Sequence, residues 1–293
     1  MLKKNMLTMH STVTKHANLV MDIDVAKTAG FDAMEITTDK LKGYLAAGYS
    51  EQDLRDLLKD ITVPGIGFLV DIERQGEEST ALYDQAEEMF RLANIAGAKG
   101  IEVITGPLEV QAVIDHRQGK APTLYSGLLG HSESEQMRLT AKNLAALADK
   151  AQEHGLLLYL EALAWTPIGS IAKALQLIDR AERSNVKVVI DYWHGYAAGD
   201  KPEEISKINK ELIYGVHICD SLLFESGVPN EAVLRNVATG QGVLNLQEWT
   251  DAVKATGYDG WWGCELFSKK QQQQNSYSVA HALKALMEKL VGK

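Results

Sequence analysis

VVIDYWHGYAAGD, Val188 to Asp200, is an apolar run closed by an aspartate, with a histidine three residues later and a glycine directly after it. Every position before Asp191 is apolar, which suits a strand buried on both faces, as in a parallel sheet covered by helices. Such a strand has no structural use for a carboxylate at its tip. Asp191 is therefore either an incidental loop acid or a group that holds something, and the rest of the chain decides which.

Outward from this stretch, the same kind of run recurs. Counting KVVID (187–191) itself, candidate strands are MLTMHST (6–12), AMEIT (33–37), GIGFLV (65–70), GIEVIT (100–105), LLLYLEA (156–162), IYGVHIC (213–219) and GWWGCEL (260–266). Amphipathic segments lie between them, and several close on a glycine, the residue that a helix C-terminus favours. NLVMDIDVAKTAG (18–30), EQDLRDLLKD (51–60), SIAKALQLIDRAE (170–182), PEEISKINK (202–210) and NLQEWTDAVKATG (245–257) are among them. Eight strand–helix units in 293 residues is the arithmetic of a (β/α)8 TIM barrel, read here as one α/β domain over residues 1–293. A doubly wound open sheet is the rival, but no GxGxxG follows the first strand, and no Pro/Gly/Ser-rich linker divides the chain. Two long polar excursions, 106–135 and 220–242, follow the fourth and seventh strands. In a barrel that is the active-site face.

Composition narrows the function classes. Hydrophobic residues make up 45% of the chain and charged residues 24%, enough for a substantial core. A net charge of -9 argues against a nucleic-acid surface, which needs clustered Lys and Arg, although one placed arginine still suffices for a small anion. Cys219 and Cys264 show no CxxC or framework spacing, which fits a reducing compartment. The start, MLKKNMLTMHSTV, lacks the pattern of a signal peptide, and no run approaches the length of a membrane span. The expectation is a cytoplasmic protein with no membrane partner.

The specific signal is a series of polar residues where strands end. Glu161 closes the fifth strand and Asp191 the sixth, His217 sits near the end of the seventh, and Glu265 near the end of the eighth. Separations of 30, 26 and 48 residues are one β/α step each, the last lengthened by the long excursion. Any one of these alone reads as a loop contact or a helix cap. Four on successive strands would repel one another at a barrel mouth unless a cation lay between them. Three oxygens and an imidazole nitrogen suit one divalent ion, Mn, Co or Mg, with Zn also admissible. Strand parity turns Cys264 away from Glu265 toward the helix layer, and gives Cys219 the parity of His217.

With these residues in place, the chain resembles the xylose isomerase-like TIM-barrel superfamily (sugar phosphate isomerase/epimerase, AP endonuclease family 2). The resemblance covers nearly the whole chain and is strongest from Leu157 to Phe267. The motif D-x-x-H stands as Asp191-Tyr192-Trp193-His194, H-x-x-D as His217-Ile218-Cys219-Asp220, and G-x-G as Gly240-Gln241-Gly242. The resemblance implies that Glu161, Asp191, His217 and Glu265 bind one divalent metal. It implies substrate contacts from His194, from Glu35 in AMEI, and from Arg235, the one arginine between the last two motifs. On this reading Asp191 ends its strand because the metal sits there, His194 begins the following loop, and Gly195 lets the backbone turn close to the ligand. Members often pair, so a homo-oligomer is also implied.

Carboxylates on a divalent ion suit proton abstraction beside a carbonyl, with an enediolate stabilised by the ion. Glu161 and Glu265 would remove a proton on one face and return one on the other. The expected activity is a metal-dependent isomerase or epimerase acting on a sugar or polyol-derived ketone, within carbohydrate metabolism. The alternatives are a dehydratase of the inosose or 3-dehydroshikimate type using the same site, and a non-catalytic sugar-binding barrel. An AP-endonuclease role needs several zinc ions and a basic groove, and of the histidines outside the motifs only His10 lies in a candidate strand. Trp165, Trp193, Trp261 and Trp262 are candidates to stack on a sugar ring. Substrate identity is assigned to loops around 38–50, 71–80 and 106–135.

Overall fold

The structure, a computed structural model, describes residues 3–293; Met1 and Leu2, at the start of the domain expected over 1–293, lie outside the described residues. Eight parallel strands close into a barrel in chain order: β1 (Met6–His10), β2 (Ala33–Thr37), β3 (Gly65–Leu69), β4 (Gly100–Ile104), β5 (Leu157–Glu161), β6 (Val186–Asp191), β7 (Ile213–Ile218) and β8 (Trp261–Cys264). β8 returns to β1 through the pairs Met6↔Trp261 and Leu7↔Trp262. The apolar runs read from the sequence all become strands, with boundaries shifted by at most two residues.

Alternation along each strand sorts the core into two parts. Leu7, Met9, Leu158, Leu160, Ile190, Val216 and Ile218 are buried in the large cluster shared with the surrounding helices. Met6, Tyr159, Val189 and Trp261 form a separate cluster inside the barrel, toward the strands' N-terminal ends. There Tyr159 meets Trp261 edge to face at 6.0 Å, and Tyr214 spans to Pro64, its hydroxyl donating to the carbonyl at 2.6 Å. Glycines make the room. A Cβ at Gly65 would lie 2.2 Å from the Tyr159 hydroxyl oxygen, and one at Gly215 only 2.0 Å from the Trp261 ring. Burying each of these large rings is worth roughly 4–6 kcal/mol of transfer free energy. The result is a sealed floor.

Three segments read as loops are helical: Thr38–Ala46, Val110–Arg117 and Tyr192–Ala198. The first buries only Leu41, and the second only Ala112 and Val113, so neither shows an apolar stripe in sequence. The third is the reverse case, buried from Tyr192 to Gly195 with no polar face to set a period. The segment 202–210, read as helical, keeps only Pro202–Ile205 as α-helix, followed by a 3-10 turn over Lys210–Leu212. Among the described residues no helix is long and apolar enough to cross a membrane.

Candidate metal centre

At the opposite end from the aromatic floor, Glu161 is the last residue of β5 and Asp191 the last of β6, His217 is the fifth residue of β7, and Glu265 follows β8 directly. The Glu265 amide donates to the Ile218 carbonyl at 3.3 Å, carrying the β7–β8 ladder one residue further. One ligand-competent atom from each of the four lies within 4.8 Å of the others, and all four residues are buried.

Asp191 fills two roles at once. Its Oδ1 accepts the His194 amide at 2.7 Å and caps the helix Tyr192–Ala198, while Oδ2 lies 4.0 Å from His217 Nδ1 and 3.4 Å from Arg235 Nη2. His194 is thus on the first turn of a helix, not in a loop. Gly195 belongs to the same helix and turns nothing; a Cβ there would sit 2.8 Å from the Trp249 ring, so its small size serves packing. His217 faces Glu161 Oε1 with Nδ1 at 3.1 Å and Glu35 Oε2 with Nε2 at 2.8 Å. A proton on Nε2, shared with Glu35, leaves the Nδ1 lone pair turned toward the acids, the carboxylate–histidine arrangement that orients a metal ligand. Glu35 also accepts the Tyr159 hydroxyl. Expected to line the substrate pocket, it instead lies sealed behind the imidazole with no solvent exposure.

Sequence reasoning missed Glu102. The signal was present: one carboxylate in the middle of the otherwise apolar run GIEVI. With His10 and Glu35 it forms a second buried group of ligand-competent atoms, and its Oε1 lies 4.0 Å from His217 Nδ1. Its Oε2 has no hydrogen-bond partner among the described residues, and a Cβ at Gly67 would lie 2.6 Å from that atom.

Burial pushes the Glu161 carboxyl up to about 8, with the charges of Glu265 and Asp191 adding to it against the His217 hydrogen bond. Glu102 is raised well above the usual range by burial and then by the neighbouring charges of Glu161 and Glu35. Burial acts on Glu265 the same way, but the charges of Arg235 and His217 outweigh it and hold that carboxyl low. Burial pushes His194 down to about 4, so its imidazole is neutral.

The wall after β7 is built by Arg235, at the end of the short helix Glu231–Leu234. Its guanidinium donates to Glu265 at 2.6 Å and to Glu231 at 2.8 Å, and its flat faces stack on Phe267 and Trp193 at 4.1 and 5.5 Å. Asp220 holds the rest of this excursion by accepting the amides of Gly240, Gly242 and Leu244. A Cβ at Gly242 would fall 2.2 Å from the Asp220 carboxylate, which is the physical reason for the second glycine of the G-x-G. Across the mouth, Glu73 accepts the Gly106 amide at 2.9 Å and the Tyr125 hydroxyl at 3.0 Å, and Asp71 accepts the Leu108 amide at 2.7 Å, fixing the turn that leaves β4.

The four tryptophans offered as sugar platforms are all buried: Trp261 is part of the floor, Trp262 reaches Asn5, Trp165 donates to the carbonyls of Pro107 and Leu108, and Trp193 donates to Ser221. The aromatic groups lining the cavity at the mouth are Phe68 and Phe267, beside Thr12, Thr37, Lys15 and Gln272. Cys264 lies in the core shared with the helices and Cys219 beside Asp191, at 3.3 Å from Oδ2. Burial raises the Cys219 thiol well above its usual range, which keeps it protonated.

These donors fit one divalent cation. Three carboxylates and one imidazole nitrogen converge, and five buried carboxylates (Glu35, Glu102, Glu161, Asp191, Glu265) face only Arg235, His217 and the neutral His10 and His194 as counterweights. Glu161 and Glu102 escape part of the repulsion by holding protons, and a divalent ion would supply the charge that lets Glu161 ionise beside Asp191 and Glu265.

The comparisons agree with this geometry. The chain is 23% identical to an inosose isomerase of Bacillus velezensis, over 97% of this chain and 95% of that one. It is 25% identical to a 3-dehydroshikimate dehydratase of Pseudomonas aeruginosa, over 88% of this chain but 37% of the relative. A crystal structure of the IolI protein with a bound zinc atom superposes with a TM-score of 0.85 at 21% identity, covering 98% of both chains. Residues 23–289 match the family model described as xylose isomerase-like TIM barrel, and with the closed barrel and its acid–histidine mouth in hand, the chain belongs to that family.

Proposed function

We propose that this chain is a divalent-metal-dependent isomerase or epimerase of a sugar or polyol-derived ketone, working by proton transfer beside the carbonyl. The observation that carries the reading is the convergence of Glu161, Asp191, His217 and Glu265 at the C-terminal mouth of the barrel. These four would hold the ion, whose chemistry when bound is Lewis acidity toward the ketone oxygen. Glu161 and Glu265 enter from strands three apart, and on this reading they exchange a proton with the substrate carbon on its two faces. His194 and Arg235 orient substrate oxygens beside them. Glu35 acts through His217, fixing its ring and its proton. The relatives named as an inosose isomerase and a 3-dehydroshikimate dehydratase both support chemistry beginning at a carbon next to a ketone.

The dehydratase reading shares this first step and departs at the second, where a hydroxyl β to the carbonyl leaves as water. Elemental analysis of the purified protein, followed by incubation in D₂O with inososes, ketoses and 3-dehydroshikimate, tests both. Stoichiometric metal with deuterium next to the carbonyl and no change in formula is the isomerase outcome. Loss of water from the product establishes the lyase, and absence of exchange on every compound sinks the shared step.

A further inference from the structure

Glu231 has no role in the account so far beyond its bond to Arg235. Its side chain is a quarter exposed at the rim, with Oε1 2.8 Å from Arg235 Nη1 and 3.9 Å from His194 Nε2. That imidazole atom is buried and has no hydrogen-bond partner among the described residues. His194 Nδ1 accepts the Ala164 amide at 3.1 Å, so the ring's proton is on Nε2, aimed at the space between Glu231 and Glu161, whose Oε2 is 3.7 Å away. A donor and an acceptor 3.9 Å apart cannot satisfy each other, but one oxygen can sit about 2.8 Å from both. That oxygen must accept from Nε2–H and donate to the carboxylate. A substrate hydroxyl does both, as a water would in its place, whereas a carboxylate or phosphate oxygen brings no hydrogen to give.

We propose that Glu231 and His194 together read one hydroxyl next to the reacting carbons, so that the site takes an uncharged polyhydroxylated ketone and refuses a carboxylate or phosphate at that position. The assignment rests on the reading of the site as a ketone isomerase. Arg235, the cation that would otherwise welcome an anion there, is already engaged by Glu231, Glu265 and Asp191. A carboxylate or phosphate oxygen placed beside Glu231 brings no hydrogen, and it meets a like charge whenever Glu231, which burial raises to about 7, is ionised. The mouth cavity between Phe68 and Phe267 differs. Lys15 and Lys40 line it, and Lys40 is tied to Asp22 and to the carbonyls of Thr14 and Lys15, so an anionic group at the distal end of a substrate would find Lys15. The restriction applies to the reacting end alone.

The test is calorimetric binding to the Mn-loaded protein of inosose, of its monodeoxy analogues and of 3-dehydroshikimate, with the wild type, Glu231→Ala and Glu231→Gln. Glu231→Ala should weaken inosose binding roughly 10- to 100-fold, the weight of a charge-assisted hydrogen bond. That penalty should vanish for one monodeoxy analogue, and Glu231→Gln, which keeps an acceptor, should recover most of the loss. An equal penalty on every deoxy analogue would show that Glu231 only props Arg235, and would overturn the proposal. So would wild-type binding of 3-dehydroshikimate that matches or exceeds that of inosose and ignores the alanine substitution. Deuterium exchange in the same samples separates the two levels: Glu231-dependent binding without exchange defeats the isomerase reading but not the hydroxyl contact, and exchange without Glu231 dependence does the reverse.

Discussion

The two ends of the barrel interior are built from the same strands and solve opposite problems. At the floor, Tyr159 and Trp261 fill space that Gly65 and Gly215 vacate, and the gain comes from buried apolar surface. At the mouth, the same inward-facing positions a few residues later carry Glu102, Glu161, Asp191, His217 and Glu265, all buried and mostly of one sign. Burial there costs stability unless charge is balanced. The difference teaches that a TIM barrel need not spread its stability evenly along its axis; here the floor offsets what the mouth costs.

That comparison can be broken at several points. The largest effect is expected for Glu161→Gln or Glu265→Gln, each lowering deuterium exchange into substrate roughly 10²- to 10⁴-fold. In the metal-free state, Glu265→Gln strips buried Arg235 of its partner and should cost about 3–5 kcal/mol. At neutral pH Glu161→Gln replaces a carboxyl that already holds its proton, so its unfolding free energy should hold, and a clear loss there would refute the division of labour. Trp261→Ala should do the opposite, destabilising the fold by about 3–5 kcal/mol in urea titrations while the surviving folded fraction still binds metal. Glu35→Gln, acting from behind His217, should weaken metal binding roughly 10- to 100-fold by competition with a chelator, with little change in fold.

The effect furthest from the metal centre concerns Glu73, a buried acid whose hydrogen-bond donors, the Gly106 amide and the Tyr125 hydroxyl, are neutral. Burial is the main cause that pushes it up to about 7 in the folded protein, above the ordinary 4.5. The folded state therefore holds this proton more tightly than the unfolded chain. Its contribution is fully present below pH 4.5 and is lost as pH rises through 7. Subtracting the stability–pH curve of Glu73→Gln from that of the wild type should leave a fall on the order of 3 kcal/mol across that window. A flat difference would mean that a buried acid in this loop costs nothing, and would weaken the same claim for the mouth.

The barrel and its four candidate metal ligands were legible in the sequence because both follow one rule. A strand buried on two faces is continuously apolar, so a polar residue at its end stands out. Glu102 and His10 obey the same parity but lie on strands β4 and β1, away from the run of motifs, and nothing in a linear pattern says how deep along the axis a residue sits. That depth also separated Glu35 from the pocket. The helix Tyr192–Ala198 escaped because it is buried all round, and Glu231 because its meaning depends on a 3.9 Å gap to a histidine 37 positions earlier in the chain. Arg235 was marked by the family resemblance, as the one arginine between the last two motifs, but its engagement with three acids is a property of the folded loop.

One chain of hydrogen bonds joins the two ends. The hydroxyl of Tyr159, whose ring belongs to the floor, donates to Glu35, and Glu35 takes His217 Nε2, whose other nitrogen faces the acids. For protein engineering this makes the floor an electronic control as well as a foundation. Repacking around Tyr159 to raise heat tolerance would alter how strongly an imidazole two bonds away donates its lone pair. Libraries confined to the rim leave that setting untouched. A substitution in this buried aromatic layer is therefore also a change to the hydrogen bonding behind a metal-competent imidazole at the far end of the barrel.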